Sequence, residues 1–93
     1  MEIEFDPEKA ATNPLNHEGV TFTEAKAVLL DPYALTHEDQ DSQDEPRFVT
    51  LGMGAKGGFL IVVWTWRGEI PRLISAWKAN QPQKKHYEQQ FRP

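Results

Sequence analysis

The sequence predicts an α+β domain in which helices pack on a small antiparallel sheet. Three observations carry that reading. β-rich runs at 47–53, 59–66 and 70–76 follow one another through short turns, the pattern of a β-meander. Two capped helical segments, the second amphipathic, precede them, and a polar, helix-compatible stretch follows.

Taken in order, Ile3 and Phe5 alternate with Glu2 and Glu4, as in a short strand with one buried face. Asp6-Pro7 starts a helix over about 7–17, because the carboxylate caps free N–H groups and proline at the first position gives up no hydrogen bond. Pro14 should break or kink it, and Glu18-Gly19 closes it. Thr21 and Glu24 form a capping box for a second helix over 21–30. Its apolar face holds Phe22, Ala25, Val28 and Leu29, and Asp31-Pro32 ends it. A strand is expected at 33–36. It leads into 38–45, five acids in eight residues, which lack the glycine of a calcium loop and read as a solvated loop. Gly54-Ala55-Lys56-Gly57-Gly58 and Arg67-Gly68-Glu69 make the meander's two turns, and Pro71 marks an edge or bulge. Residues 80–90 form the last helix, with Tyr87 and Phe91 on one face. The order is β-α-α-β-β-β-β-α in one domain, 1–93. The helices are expected on one sheet face, leaving a basic surface on the other face or an edge.

Ninety-three residues without a cysteine exclude a disulfide scaffold, thiolate metal sites and cysteine nucleophiles. The longest apolar run, 59–66, is far too short to span a bilayer, and the acidic N-terminus is unlike a secretory signal. A cytoplasmic location away from membranes is therefore expected. The net charge of −4 divides sharply: residues 1–45 carry twelve acids and two bases, and residues 46–93 eight bases and two acids. Either the halves neutralise each other across the fold, or the second half presents a phosphate-binding surface.

Most catalytic constellations are absent. The glycine-rich segment 52–58 joins two strands, so it is not a phosphate loop that opens a helix. His17, His37 and His86 lack metal-ligand spacing, and neither metal nor cofactor is expected. What remains is basic and aromatic. Arg67 sits in a turn, Arg72 on the next strand and Lys78 just past its end, among Trp64, Trp66 and Trp77. Lys56 lies in the hairpin, and Lys84, Lys85 and Tyr87 on the last helix. Guanidinium groups bind phosphate bidentately and aromatic faces stack RNA bases. The competing reading puts tryptophan in the core; Trp64 and Trp66 share one strand face, so an inward orientation would weaken stacking.

In sequence order, Phe5-Asp6-Pro7-Glu8-Lys9-Ala10, Asn16 to Ala25, Asp31-Pro32, Arg47-Phe48, Gly52, Thr65-Trp66-Arg67-Gly68, Arg72 to Ala79 and Tyr87-Glu88 resemble the BrnT (DUF497) toxin family. The resemblance covers nearly the whole chain. It implies a RelE-like fold and a metal-independent endoribonuclease toxin of a type II toxin–antitoxin system. A cognate, BrnA-like antitoxin would neutralise it and supply the only contact with DNA, in complexes that pair as dimers. Carried over by position, Arg67, Arg72 and Lys78 would be catalytic; from the basic and aromatic surface itself, Lys56, Trp66, Lys84, Lys85 and Tyr87 are expected to contact RNA. Trp64, Trp77 and Gln83 stand where the family pattern has histidine, arginine and glutamate. Two functions therefore stay open: an active ribonuclease, or a weakened or inactive toxin-fold module that binds an antitoxin-like partner.

Overall fold

The computed structural model describes residues 2–92. A two-residue strand, β1 (Glu4–Phe5), leads into α1 (Pro7–Asn16), whose cap is the Asp6 carboxylate accepting from Glu8 N–H at 2.9 Å. Pro14 lies inside α1 without ending it there; the helix stops two residues later. Glu18 (φ +52°) and Gly19 (φ +83°) then turn the chain left-handed, a conformation glycine adopts freely. Both halves of the expected capping box open α2 (Phe22–Leu30): Glu24 N–H donates to Thr21 Oγ1, and Thr21 N–H to Glu24 Oε1.

The strands are β2 (Leu35–Glu38), β3 (Phe48–Met53), β4 (Phe59–Arg67) and β5 (Ile70–Lys78), followed by α3 (Gln81–Glu88) and a 3-10 turn, Gln89–Phe91. β2 begins two residues later than the sequence suggested, and β5 runs on through Lys78. The sheet order is β1-β5-β4-β3-β2. β2 to β5 pair antiparallel, whereas β1 pairs parallel with β5 through Glu4↔Arg72 and Phe5↔Leu73. The sheet is thus mixed rather than purely antiparallel. No hairpin links β1 to β5, so nothing local dictates its direction.

Alternate residues of β4 divide the core. Leu60 and Val62 face α1 and α2, in a cluster with Phe22, Ala25, Val28, Leu73 and Ala76. Ile61 faces the other way, with Leu51, Ala79 and Tyr87 of α3. The helices therefore cover both sheet faces, which corrects the one-face expectation. α3 is short, but its Tyr87, together with Ala79 just before the helix, supplies enough apolar surface to close the second layer.

Candidate functional site

A bulge in β5 decides which residues share the α3 face. Val63 pairs with Ser75 but Trp64 with Leu73, so Ile74 is an extra residue. Without it, Arg72 would share a face with Ala76, which lies in the α1–α2 core. With it, Arg72 stands opposite Thr65 on the α3 face, at the end α3 leaves open. On its other side Arg72 meets Glu4 of β1, Nη1 to Oε1 at 3.0 Å.

Arg47 extends the β3 ladder by one residue, its carbonyl accepting from Asp39 N–H at 2.7 Å. Thr65 Oγ1 donates to Pro46 O at 2.6 Å and pins that segment to β4. As a result Arg47, Arg67 and Arg72, with Lys9 from the first turn of α1, line one hollow of about 200 Å³. Asp6 and Glu45 also line it, so four cations meet two carboxylates. Asp6 already serves as the α1 cap; Glu45 makes no side-chain hydrogen bond among the described residues. The arrangement suits a phosphate, whose oxygens match the guanidinium fork.

The other expected site residues lie elsewhere. Lys78 pairs with Leu60 and Arg72 with Thr65, five residues apart along β4, so the two are about 17 Å apart. Its Nζ lies 3.9 Å from Glu18 Oε2, beside a separate hollow lined by His17 and Trp77. Lys56, in the β3–β4 turn, is at that same end of the sheet. Trp64 faces the α1–α2 core and donates from Nε1 to Thr50 Oγ1 at 2.8 Å. Trp66 stands edge-on to it on that face, half exposed but turned away from the arginines. Lys84 and Lys85 lie on α3. Tyr87, expected to touch RNA, is instead buried, at 5% exposure. Its hydroxyl donates to Asp31 Oδ2 at 2.7 Å, since a buried phenol requires a partner. Burial, the Asp31 hydrogen bond and the Asp31 charge push the Tyr87 hydroxyl up to about 12. Burial alone would raise Asp31, but hydrogen bonds from Met53 N–H, Tyr87 O–H and Tyr33 N–H outweigh it and hold the carboxyl below its usual range. The Gln83 carboxamide oxygen accepts from Asn80 N–H at 2.8 Å, capping α3.

Sequence reasoning missed Lys9, Arg47 and Glu45 as partners of the arginines. Arg47 was visible only as one charge in a positive half, and Glu45 as one acid in a loop. Among the described residues no three histidine or acidic side chains gather as a metal site, and no helix is long and apolar enough to cross a membrane.

A family model described as the ribonuclease toxin, BrnT, of type II toxin–antitoxin systems matches residues 5–83. The chain belongs to the BrnT family. No curated protein sequence matches it. The BrnT match includes all four cations of the hollow and Lys78, and stops just before Lys84, Lys85 and Tyr87. Membership of BrnT brings with it a ribonuclease toxin's role, an RNA target and an antitoxin partner.

Proposed function

We infer that this BrnT chain cleaves RNA at the hollow lined by Lys9, Arg47, Arg67 and Arg72, without a metal ion. The observation that supports this most is the convergence of four cations from α1, β4, β5 and the segment before β3 on one spot. In such a reaction the 2′-oxygen attacks the neighbouring phosphorus, forming an O–P bond as the bond to the 5′-oxygen breaks. One proton leaves the 2′-hydroxyl, and one drawn from water joins the departing oxygen. Arg67 and Arg72 stabilise the charge growing on the phosphate, and Glu45, the uncommitted carboxylate of the hollow, takes the first proton. Lys78 and Lys56 stand too far away to act on that phosphate and serve as contacts for a longer strand, with Lys84 and Lys85 on α3. A BrnA-like antitoxin neutralises the toxin in the cytoplasm, and DNA is met only through that partner.

The test is cleavage of RNA in chelator by purified protein freed of antitoxin. Arg67→Ala and Arg72→Ala should each slow it by roughly 100- to 1,000-fold, the usual effect of losing a transition-state donor. Lys78→Ala should cost far less. Unchanged cleavage in both arginine variants would place the site elsewhere. Absence of cleavage by the parent would favour the non-cleaving, partner-binding module, a reading supported by the capping role that occupies the Gln83 oxygen.

A further inference from the structure

A second hollow on the same sheet face is not absorbed by the phosphate chemistry. It measures about 360 Å³ and lies between α3 and the β2–β3 edge. Leu35, Val49, Leu51 and Ile61 give it apolar walls, while His37 of β2 and Gln83 and His86 of α3 place polar groups at its rim. Gln83 and His86 are three residues apart, neighbours on one helix face. Among the described residues neither His37 nor His86 makes a side-chain hydrogen bond, and Gln83 uses its oxygen as a cap while its amide N–H groups stay available.

The strand register joins this hollow to the arginines. His37 pairs with Val49, and Arg47 is two residues before Val49 on the same face. The backbone positions of His37 and Arg47 are therefore about 8 Å apart, one strand across and two residues along. An apolar-walled hollow lined also by hydrogen-bonding groups, one step from a phosphate-sized basic hollow, matches one nucleotide split into base and backbone. Single-stranded RNA is recognised in this way, with an unstacked base held by its face and its polar edge. The apolar-walled hollow is also held rigid from behind, because Tyr87 anchors α3 to Asp31 and Gln90 donates to Tyr33 O at 2.9 Å.

We propose that the hollow formed by His37, Gln83 and His86 binds one nucleobase of the RNA whose phosphate lies against Arg47, Arg67 and Arg72, and so sets base preference. This rests on the RNA-cleaving reading and adds to it a second, specificity-determining subsite. The histidine rings supply stacking and hydrogen bonds to the base edge; the Gln83 amide supplies a further donor.

The experiment uses the full chain and uncleavable 2′-O-methyl pentanucleotides, each with one abasic position moved along the strand, read by fluorescence anisotropy. At one position, loss of the base should weaken binding to the parent protein by roughly 5- to 100-fold. That positional penalty should collapse in both His37→Ala and His86→Ala. Arg72→Ala should weaken every strand while the penalty persists. A penalty that survives both histidine substitutions, or that no position shows, overturns the base subsite while the phosphate site stands. Histidine substitutions that impair only antitoxin capture assign the hollow to the protein partner and overturn it too. Failure of the parent to bind any strand removes the RNA reading and the subsite together.

Discussion

Asn13 stands in for a missing strand. Beyond Leu73, β5 has no β1 neighbour, and the Asn13 side chain takes over: Oδ1 accepts from Ala76 N–H at 3.1 Å, and Nδ2 donates to Ala76 O and Val20 O at 2.9 and 2.8 Å. At 4% exposure no water replaces it easily. Asn13→Ala strips partners from three backbone groups at once. It should lower unfolding free energy by about 2–4 kcal/mol in denaturant titrations. Tyr87 permits a sharper test through pH. Its hydroxyl ionises near 12 in the fold, above the usual 10, so the neutral form is the one the native state favours. That stabilisation is complete below pH 10 and is lost as pH rises towards 12. Asp31 has the opposite sign: its lowered value contributes stability above the ordinary carboxylate range, lost as pH falls through the folded value. The stability gap between the parent and Tyr87→Phe should therefore hold from neutral pH to about 10 and shrink steadily above it. A gap that does not change up to pH 12 would mean that the phenol–carboxylate bond contributes nothing.

Elements were readable where local chemistry decides them, and less so where register does. Asp6-Pro7, the Thr21–Glu24 box and the two glycine-bearing turns state their structure in adjacent residues, and each forms as the sequence suggested. The Ile74 bulge does not: a strict period of two along 70–78 would put Arg72 in the core with Ala76. The parallel pairing of β1 is equally invisible, since it joins residues 68 apart in the chain. Consequently Arg67 and Arg72 could be named from sequence, but their meeting with Arg47 and Lys9 could not, nor the separation of Lys78. Gly52 shows the same dependence on a distant element. A Cβ there would meet Val28 Cγ1 at 3.1 Å, Ala34 Cβ at 3.2 Å and Asp31 Oδ2 at 3.2 Å, so α2 can lie this close to β3 only above a glycine. Gly52→Val should push the end of α2 outward and strain the Asp31 bonds to Met53 and Tyr87. We expect a loss of about 1–3 kcal/mol, as for other overpacked sites. Calorimetry should show a clearly lower Tm, and a Tm unchanged from the parent would contradict the close approach.

At the scale of the whole molecule, the positive half of the chain does not form one continuous surface. β5 alone separates Arg72 from Lys78 by about 17 Å, and the β3–β4 and β4–β5 turns put Lys56 and Arg67 at opposite ends of the sheet. One group of cations therefore surrounds the hollow, while Lys56 and Lys78 form an outlying group. A trinucleotide occupying the hollow meets only the first; a dodecanucleotide extends far enough to meet both. Each phosphate neutralised on a single strand adds about 0.7 to the slope of log affinity against log salt, through released counterions. The doubly substituted Lys56→Ala, Lys78→Ala protein should thus show a slope smaller by up to about 1.4 for the dodecanucleotide. For the trinucleotide its slope should match the parent's, because the distant lysines never meet that strand. Arg67→Ala should reduce the slope for both lengths, being part of the hollow every strand must enter. If the lysine pair lowered the slope for the trinucleotide as well, the strand would have to lie across the sheet rather than in the hollow, and the arginine cluster would no longer define where the scissile phosphate sits.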